Sequence, residues 1–81
     1  MIVSSVQIFG KVLKALRTKK NLTQEELAFQ CNLERTYISM LERGINQPTL
    51  TSLMSIASAL GMKLSDLIRI FEAEHDKLTE E

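Results

Sequence analysis

The run Leu22-Thr23-Gln24-Glu25-Glu26-Leu27 constrains this chain more than any other segment. Thr23 can accept a hydrogen bond from the backbone N–H three residues on. The Glu26 side chain can accept one from the Thr23 N–H, so two orphan donors of a new helix are satisfied together. Leu22, just before the cap, and Leu27, four residues after it, form a hydrophobic staple that sets the angle of entry. A helix therefore begins at Gln24. It is short, because Asn32 follows Cys31 and Asn readily adopts the left-handed conformation that ends helices. A second periodic run opens after Leu33, with Ile38 and Leu41 inward, Tyr37 on the flank and Gly44 as its stop. Helices this short do not persist alone in water. The two must meet across a turn of about three residues and share one core, a helix-turn-helix arrangement. Leu27, Cys31, Leu33, Ile38 and Leu41 supply that core, and small Ala28 stands where the helices cross.

The rest of the chain reads as three more helices. Phe9, Val12, Leu13 and Leu16 recur at i, i+3, i+4 and i+7, one helical face. Ser4-x-x-Gln7 is a capping box at its start. Gly10 weakens this helix by roughly 1 kcal/mol relative to Ala. Lys14, Arg17, Lys19 and Lys20 gather at its end, where cations suit the helix dipole. After the turn-rich Ile45-Asn46-Gln47-Pro48, Thr49 caps a fourth helix carrying Leu50, Leu53, Ile56, Ala57 and Leu60, and Gly61 stops it. A fifth helix places Leu64, Leu67, Ile68 and Phe71 on one face. Glu72 to Glu81 form a polar acidic tail expected to fray. There is no alternation of the kind strands show. The expectation is an all-α, compact five-helix domain spanning 1–81, with 72–81 as tail.

Composition excludes other classes. With 44% hydrophobic and 25% charged residues, the 81-residue chain is a soluble globular domain. Its apolar runs fall far short of the ~20 residues of a membrane span. Met1-Ile2-Val3-Ser4-Ser5-Val6 lacks the basic and apolar regions of a signal peptide, so a cytoplasmic location is expected. Cys31 and His75 are the only residues of their kinds. No disulfide, metal site, cofactor or small-molecule ligand is expected. Cys31 reads as a small packed hydrophobe, His75 as a solvated residue of the tail, and Met54 and Met62 as core or interface filler. No phosphate loop or catalytic triad pattern is present, so no enzyme activity is expected. Charge is sorted: residues 1–63 carry eight cations and four carboxylates, residues 64–81 two and six. That is a basic body suited to a polyanion and an acidic end that stays clear of it.

On a wheel of about 100° per residue, Arg35, Thr36, Ser39, Met40 and Arg43 cover the face of the third helix opposite Ile38 and Leu41. A major groove admits such a helix. Arg bonds guanine bidentately, hydroxyls meet either kind of base, and apolar groups touch the thymine methyl.

The segments Leu22–Ala28, Leu33–Ser39 and Leu41–Gly44, followed by Pro48-Thr49-Leu50 and Ala57–Met62, resemble the lambda-repressor-like (XRE) helix-turn-helix family over roughly residues 9–71. Arg35-Thr36-Tyr37-Ile38-Ser39 and the short tail also resemble restriction–modification controller proteins. The resemblance implies a homodimer that binds an inverted-repeat DNA operator and regulates transcription. It implies base contacts by Arg35, Thr36, Ser39 and Met40. Backbone contacts fall to Gln24, Tyr37, Arg43, Asn46, Gln47 and Lys20, with Gln24 also bracing the reading helix. Helices four and five are the family's usual dimer face, expected here to involve Met54, Leu67, Ile70 and Phe71. The alternative is an antitoxin or protein-interaction module using the same fold. Glu34 stands where the family usually has Ser, Thr or Asp, and is a poorer cap.

Overall fold

The computed structural model describes residues 4–79, and expectations that touch Met1–Val3 or Glu80–Glu81 lie outside them. Five helices follow in order: α1 (Ser5–Lys19), α2 (Gln24–Cys31), α3 (Arg35–Glu42), α4 (Leu50–Ala59) and α5 (Leu64–Thr79). No strand occurs among the described residues, and none of their helices is long and apolar enough to cross a membrane.

The helix starts are written in side-chain chemistry. Ser4 Oγ accepts from the Gln7 N–H at 3.1 Å while Gln7 Oε1 accepts from the Ser4 N–H at 3.4 Å. Thr23 Oγ1 accepts from the Glu26 N–H at 3.0 Å while Glu26 Oε1 accepts from the Thr23 N–H at 2.8 Å. Thr49 Oγ1 accepts from the Ser52 N–H at 3.0 Å. Asn32 ends α2 in the left-handed region, at φ 58° and ψ 42°. Glu34 makes no side-chain cap bond at the start of α3.

Ile8, Leu13, Leu27, Ile38, Leu41, Ile56, Leu60 and Leu67 are fully buried, drawing every helix into one core. α1 crosses α3 with their backbones in close approach at Gly10. A Cβ there would lie 2.5 Å from the Leu41 carbonyl oxygen and 2.6 Å from that of Glu42. The glycine that costs α1 some intrinsic stability is the residue that lets the two backbones meet. Gly44 ends α3 at φ +72°, packed on Gln7, where any side chain would be strained.

The structure departs from the sequence expectations at four points. Ile8, outside the core face expected for α1, is fully buried, and Leu16, on that face, is half-buried. Ile68, expected on the core stripe of α5, is 38% exposed. The tail does not fray at Glu72: α5 runs to Thr79, with Leu78 half-buried. His75 is also half-buried rather than solvated, its ring 5.7 Å from that of Phe71, which itself lies 6.3 Å from Phe9.

Candidate nucleic-acid interface

α3 is the helix that the others hold up. Its inner face is closed by Ile38 and Leu41, and its outer face presents Arg35, Thr36 and Arg43 exposed, with Ser39 and Met40 half-buried beside them. Met40 Sδ accepts from the Asn46 amide at 3.7 Å, so the α3–α4 connection lies against this face.

A chain of polar groups fixes α3 to α1 and α2. Arg17, at the end of α1, turns inward instead of joining the basic cluster. Its Nε and Nη2 bind the two oxygens of Glu42 at 2.6 and 3.0 Å, and its Nη1 donates to the Leu22 carbonyl at 2.7 Å. The ion pair is buried, with 11% of the Arg17 side chain and 3% of that of Glu42 exposed. Hydrogen bonding to Glu42 raises the Arg17 pKa above its ordinary value, outweighing the desolvation that lowers it. Gln24 Nε2 donates to Glu42 Oε1 at 3.0 Å, and Arg35 Nη1 donates to Gln24 Oε1 at 3.3 Å. Gln24 thus touches Arg35 directly, as a bracing residue would.

The other expected site residues separate. Tyr37 is half-buried and its O–H donates to Ser52 Oγ on α4 at 3.1 Å, which ties it to the edge of the core. The donor it would offer a phosphate is already engaged. Lys20 does not join the Gln24–Arg35 cluster: its Nζ lies 3.4 Å from where a Cβ on Gly61 would sit, over the α4–α5 turn. Gln47 lines a cleft with Val6, Phe9, Leu53 and Ile68, between α1, α4 and α5. Among the described residues no group of His, Cys, Asp or Glu is arranged to hold a metal. Cys31 is buried, which raises its thiol pKa through desolvation.

The expected dimer residues also divide. Leu67 is 0% exposed, so it cannot offer surface to a partner: it is a core residue. Phe71 is half-buried under Phe9. Met54 is 56% exposed on α4, where Leu50 is 67% exposed as well. Ile70 is exposed, but it faces Val12, Ala15 and Leu16 of α1. Two residues away, and hence about 200° round the helix, Ile68 faces Leu53 on the α4 side. Ile68 and Leu50 are interface candidates that the sequence reading missed. The signal for Leu50 was present: α4 has no charged residue, unusual for a helix with a solvent face. Glu42 was also missed, although it lies four residues after Ile38, within about 40° of the buried stripe.

Two short helices at a tight turn, the second held outward with a cationic and hydroxylic face, define the helix-turn-helix class of DNA-binding proteins. The family model described as "Helix-turn-helix" matches residues 13–67, more than half of the chain. The chain belongs to that family. It is 44% identical over 62 residues to the control protein C.BamHI of Bacillus amyloliquefaciens, covering 75% of this chain and 76% of that protein. The restriction–modification controller protein C.AhdI from Aeromonas hydrophila superposes with a TM-score of 0.74 at 39% identity, over 76% of this chain and 94% of that one. The controller protein C.Esp1396I, solved as a tetramer in complex with its natural 35 base-pair operator, superposes with a TM-score of 0.82 at 32% identity, over 91% and 97% of the two chains.

Proposed function

We propose that residues 1–81 act as one domain, a non-enzymatic cytoplasmic transcriptional regulator. It binds an inverted-repeat DNA operator as a homodimer and controls a restriction–modification system, including its own gene. The observation that carries this reading is the outer face of α3, where Arg35 stands exposed and braced by Gln24. Arg35, Thr36, Ser39 and Met40 meet bases. Gln24, Arg43 and Asn46 border that face and meet the sugar–phosphate backbone. Sorting of charge supports the orientation, because the acidic α5 end lies on a different element from the reading face. The likeness to control proteins supports the biological setting.

One reading helix covers only a few base pairs, too few to select a genomic site. A two-fold dimer supplies the second helix, with half-site centres about 10–11 base pairs apart. Selection from a random-sequence DNA pool, followed by gel-shift titration, tests this. The expected product is a symmetric duplex with that spacing, bound at least a thousand-fold tighter than scrambled DNA. Enrichment of no sequence, or of a single unpaired half-site bound by a monomer, overturns it.

A further inference from the structure

We infer that Glu42, whose side chain is almost closed to solvent, is a positioning residue for sequence readout: it sets the polarity of the Gln24 amide and thereby steers Arg35. This rests on the reading of Arg35 as a base contact. A carboxylate only accepts hydrogen bonds, whereas an amide has a donor end and an acceptor end. Gln24 lies between Glu42 and Arg35, at 3.0 Å from the first and 3.3 Å from the second. Facing a carboxylate, it must turn its NH2 inward, so its carbonyl oxygen points outward. That oxygen is the only end of the amide that an arginine can use. The orientation of an exposed specificity residue is therefore decided by a charge buried behind it.

The ion pair with Arg17 makes the device stiff. Two bonds from the Arg17 fork hold both Glu42 oxygens, so the carboxylate cannot rotate away from Gln24. Arg35 uses its Nη1 on Gln24. Its Nε and Nη2 edge stays free, and that edge is the parallel fork that fits guanine O6 and N7. Without the brace the long side chain would sample many rotamers, and its charge would reach phosphates as readily as bases.

Glu42→Gln would not remove this control, because Arg17 Nη2 and Gln24 Nε2 share Glu42 Oε1 and an amide oxygen at that position would keep both. Arg17→Met with Glu42→Leu removes the acceptor behind Gln24 and leaves the joint apolar, so neither end of the Gln24 amide is held toward Arg35. Adding Gln24→Glu restores an acceptor facing Arg35 without the ion pair, because both oxygens of a carboxylate accept. The double and triple variants therefore share the loss of the ion pair and differ in the acceptor offered to Arg35. The probe is the duplex that the wild-type protein enriches from random DNA, together with all single-base variants of one half-site. Competition binding gives the base preference at each position.

A preference of roughly 5- to 150-fold is expected at the Arg35 position in the wild type, from the usual worth of a bidentate pair. The double variant should bring it near unity at that position only, and the triple variant should return it toward the wild-type ratio. Equal loss in both variants, or an unchanged preference in the double variant, overturns the proposal. If the double variant does not fold, Gln24→Met carries the test, because it keeps the ion pair. It should unfold at the wild-type temperature yet lose the preference, and a retained preference overturns the proposal. Arg35→Ala separates the two levels. If it relaxes one position while Arg17→Met with Glu42→Leu does not, only the positioning role falls. If it relaxes none, the base-reading role of Arg35 falls and the positioning role with it.

Discussion

Where α1 crosses α3, the contact is backbone on backbone at Gly10 and a buried Arg17–Glu42 pair seven residues further along α1. Where α4 meets α5, the joint is made by Ile56, Ala57, Leu60 and Leu67, and α4 contributes no charge at all. The first joint is directional. Hydrogen bonds and an ion pair have one good geometry, and they hold the reading helix in a single orientation. The second is not directional, and apolar side chains continue past it into solvent at Leu50, Met54 and Ile68. Orientation is what base readout requires, and open apolar surface is what a second copy can cover. The molecule separates the two requirements by chemistry.

Breaking the directional joint should have the largest effect. Arg17→Leu leaves the buried Glu42 carboxylate without its cation, and such losses cost about 3–5 kcal/mol. That is a large part of the stability of so small a domain. Thermal unfolding should show a collapse of the midpoint, or no folded state. Replacing both partners, Arg17→Met with Glu42→Leu, should return most of the stability, since apolar pairs often match or exceed buried ion pairs. The sharper expectation is that this double variant folds yet reads DNA poorly, because Gln24 has lost the group that orients it. A double variant with wild-type base preference would show that the ion pair serves stability alone.

Gly10→Ala comes next. On intrinsic propensity it should stabilise α1 by roughly 1 kcal/mol. The crossing reverses the sign, because the new Cβ would sit 2.5 Å from a backbone oxygen that cannot move away cheaply. A loss of about 1–3 kcal/mol is expected from overpacking. For a domain of this size that is a fall of about 4–8 °C per kcal/mol in the unfolding midpoint. A rise in the midpoint would mean that the α1–α3 crossing is looser than its geometry.

How much of this contrast the sequence carried differs between the two joints. The caps at Ser4, Thr23 and Thr49 and the stops at Asn32 and Gly44 are local interactions, and all were legible because each is settled within a few residues. That Arg35, Thr36, Ser39, Met40 and Arg43 lie away from the buried Ile38 and Leu41 was legible from one helical wheel. Arg17 was not, because nothing within its own helix says that a cation at the basic end turns inward. Its partner is 25 residues away in sequence. Ile68 and Ile70 were not separable for a similar reason: both flank the stripe of α5 and are equally exposed, and only the placement of α1 and α4 decides what each one faces.

The apolar joint yields a paired comparison of intermediate size. If α4 and α5 carry the homodimer, Ile68→Asp should raise the dimer dissociation constant tenfold or more, equivalent to about 1.4 kcal/mol. Ile70→Asp, facing α1, should change it far less. Both should keep the helical content, since each residue is 38% exposed already. Sedimentation velocity across a concentration series reads the difference. The reverse ranking would move the dimer face to the groove between α1 and α5.

The smallest effect expected is at the entrance to α3, and it tests the directional joint from its other end. α2 begins with a complete capping box, whereas Glu34 has the extended backbone of a cap, φ −76° and ψ 140°, and makes no side-chain bond. Its carbonyl already takes the Tyr37 and Ile38 N–H groups at 3.0 and 3.2 Å. The Arg35 and Thr36 N–H groups have no acceptor within the helix. Ser in place of Glu34 would bring a short hydroxyl within reach of the first turn, a gain of about 0.5–1 kcal/mol. It would also remove a negative charge from the edge of the face proposed to meet DNA. Glu34→Ser should therefore raise the unfolding midpoint by a few degrees and tighten binding to specific and scrambled DNA by the same factor. Base preference should not change, because the polarity of Gln24 is set by Glu42 and not by the cap. A shift in preference at the Arg35 position would show that the first turn of α3, rather than the buried carboxylate behind it, orients the reading arginine.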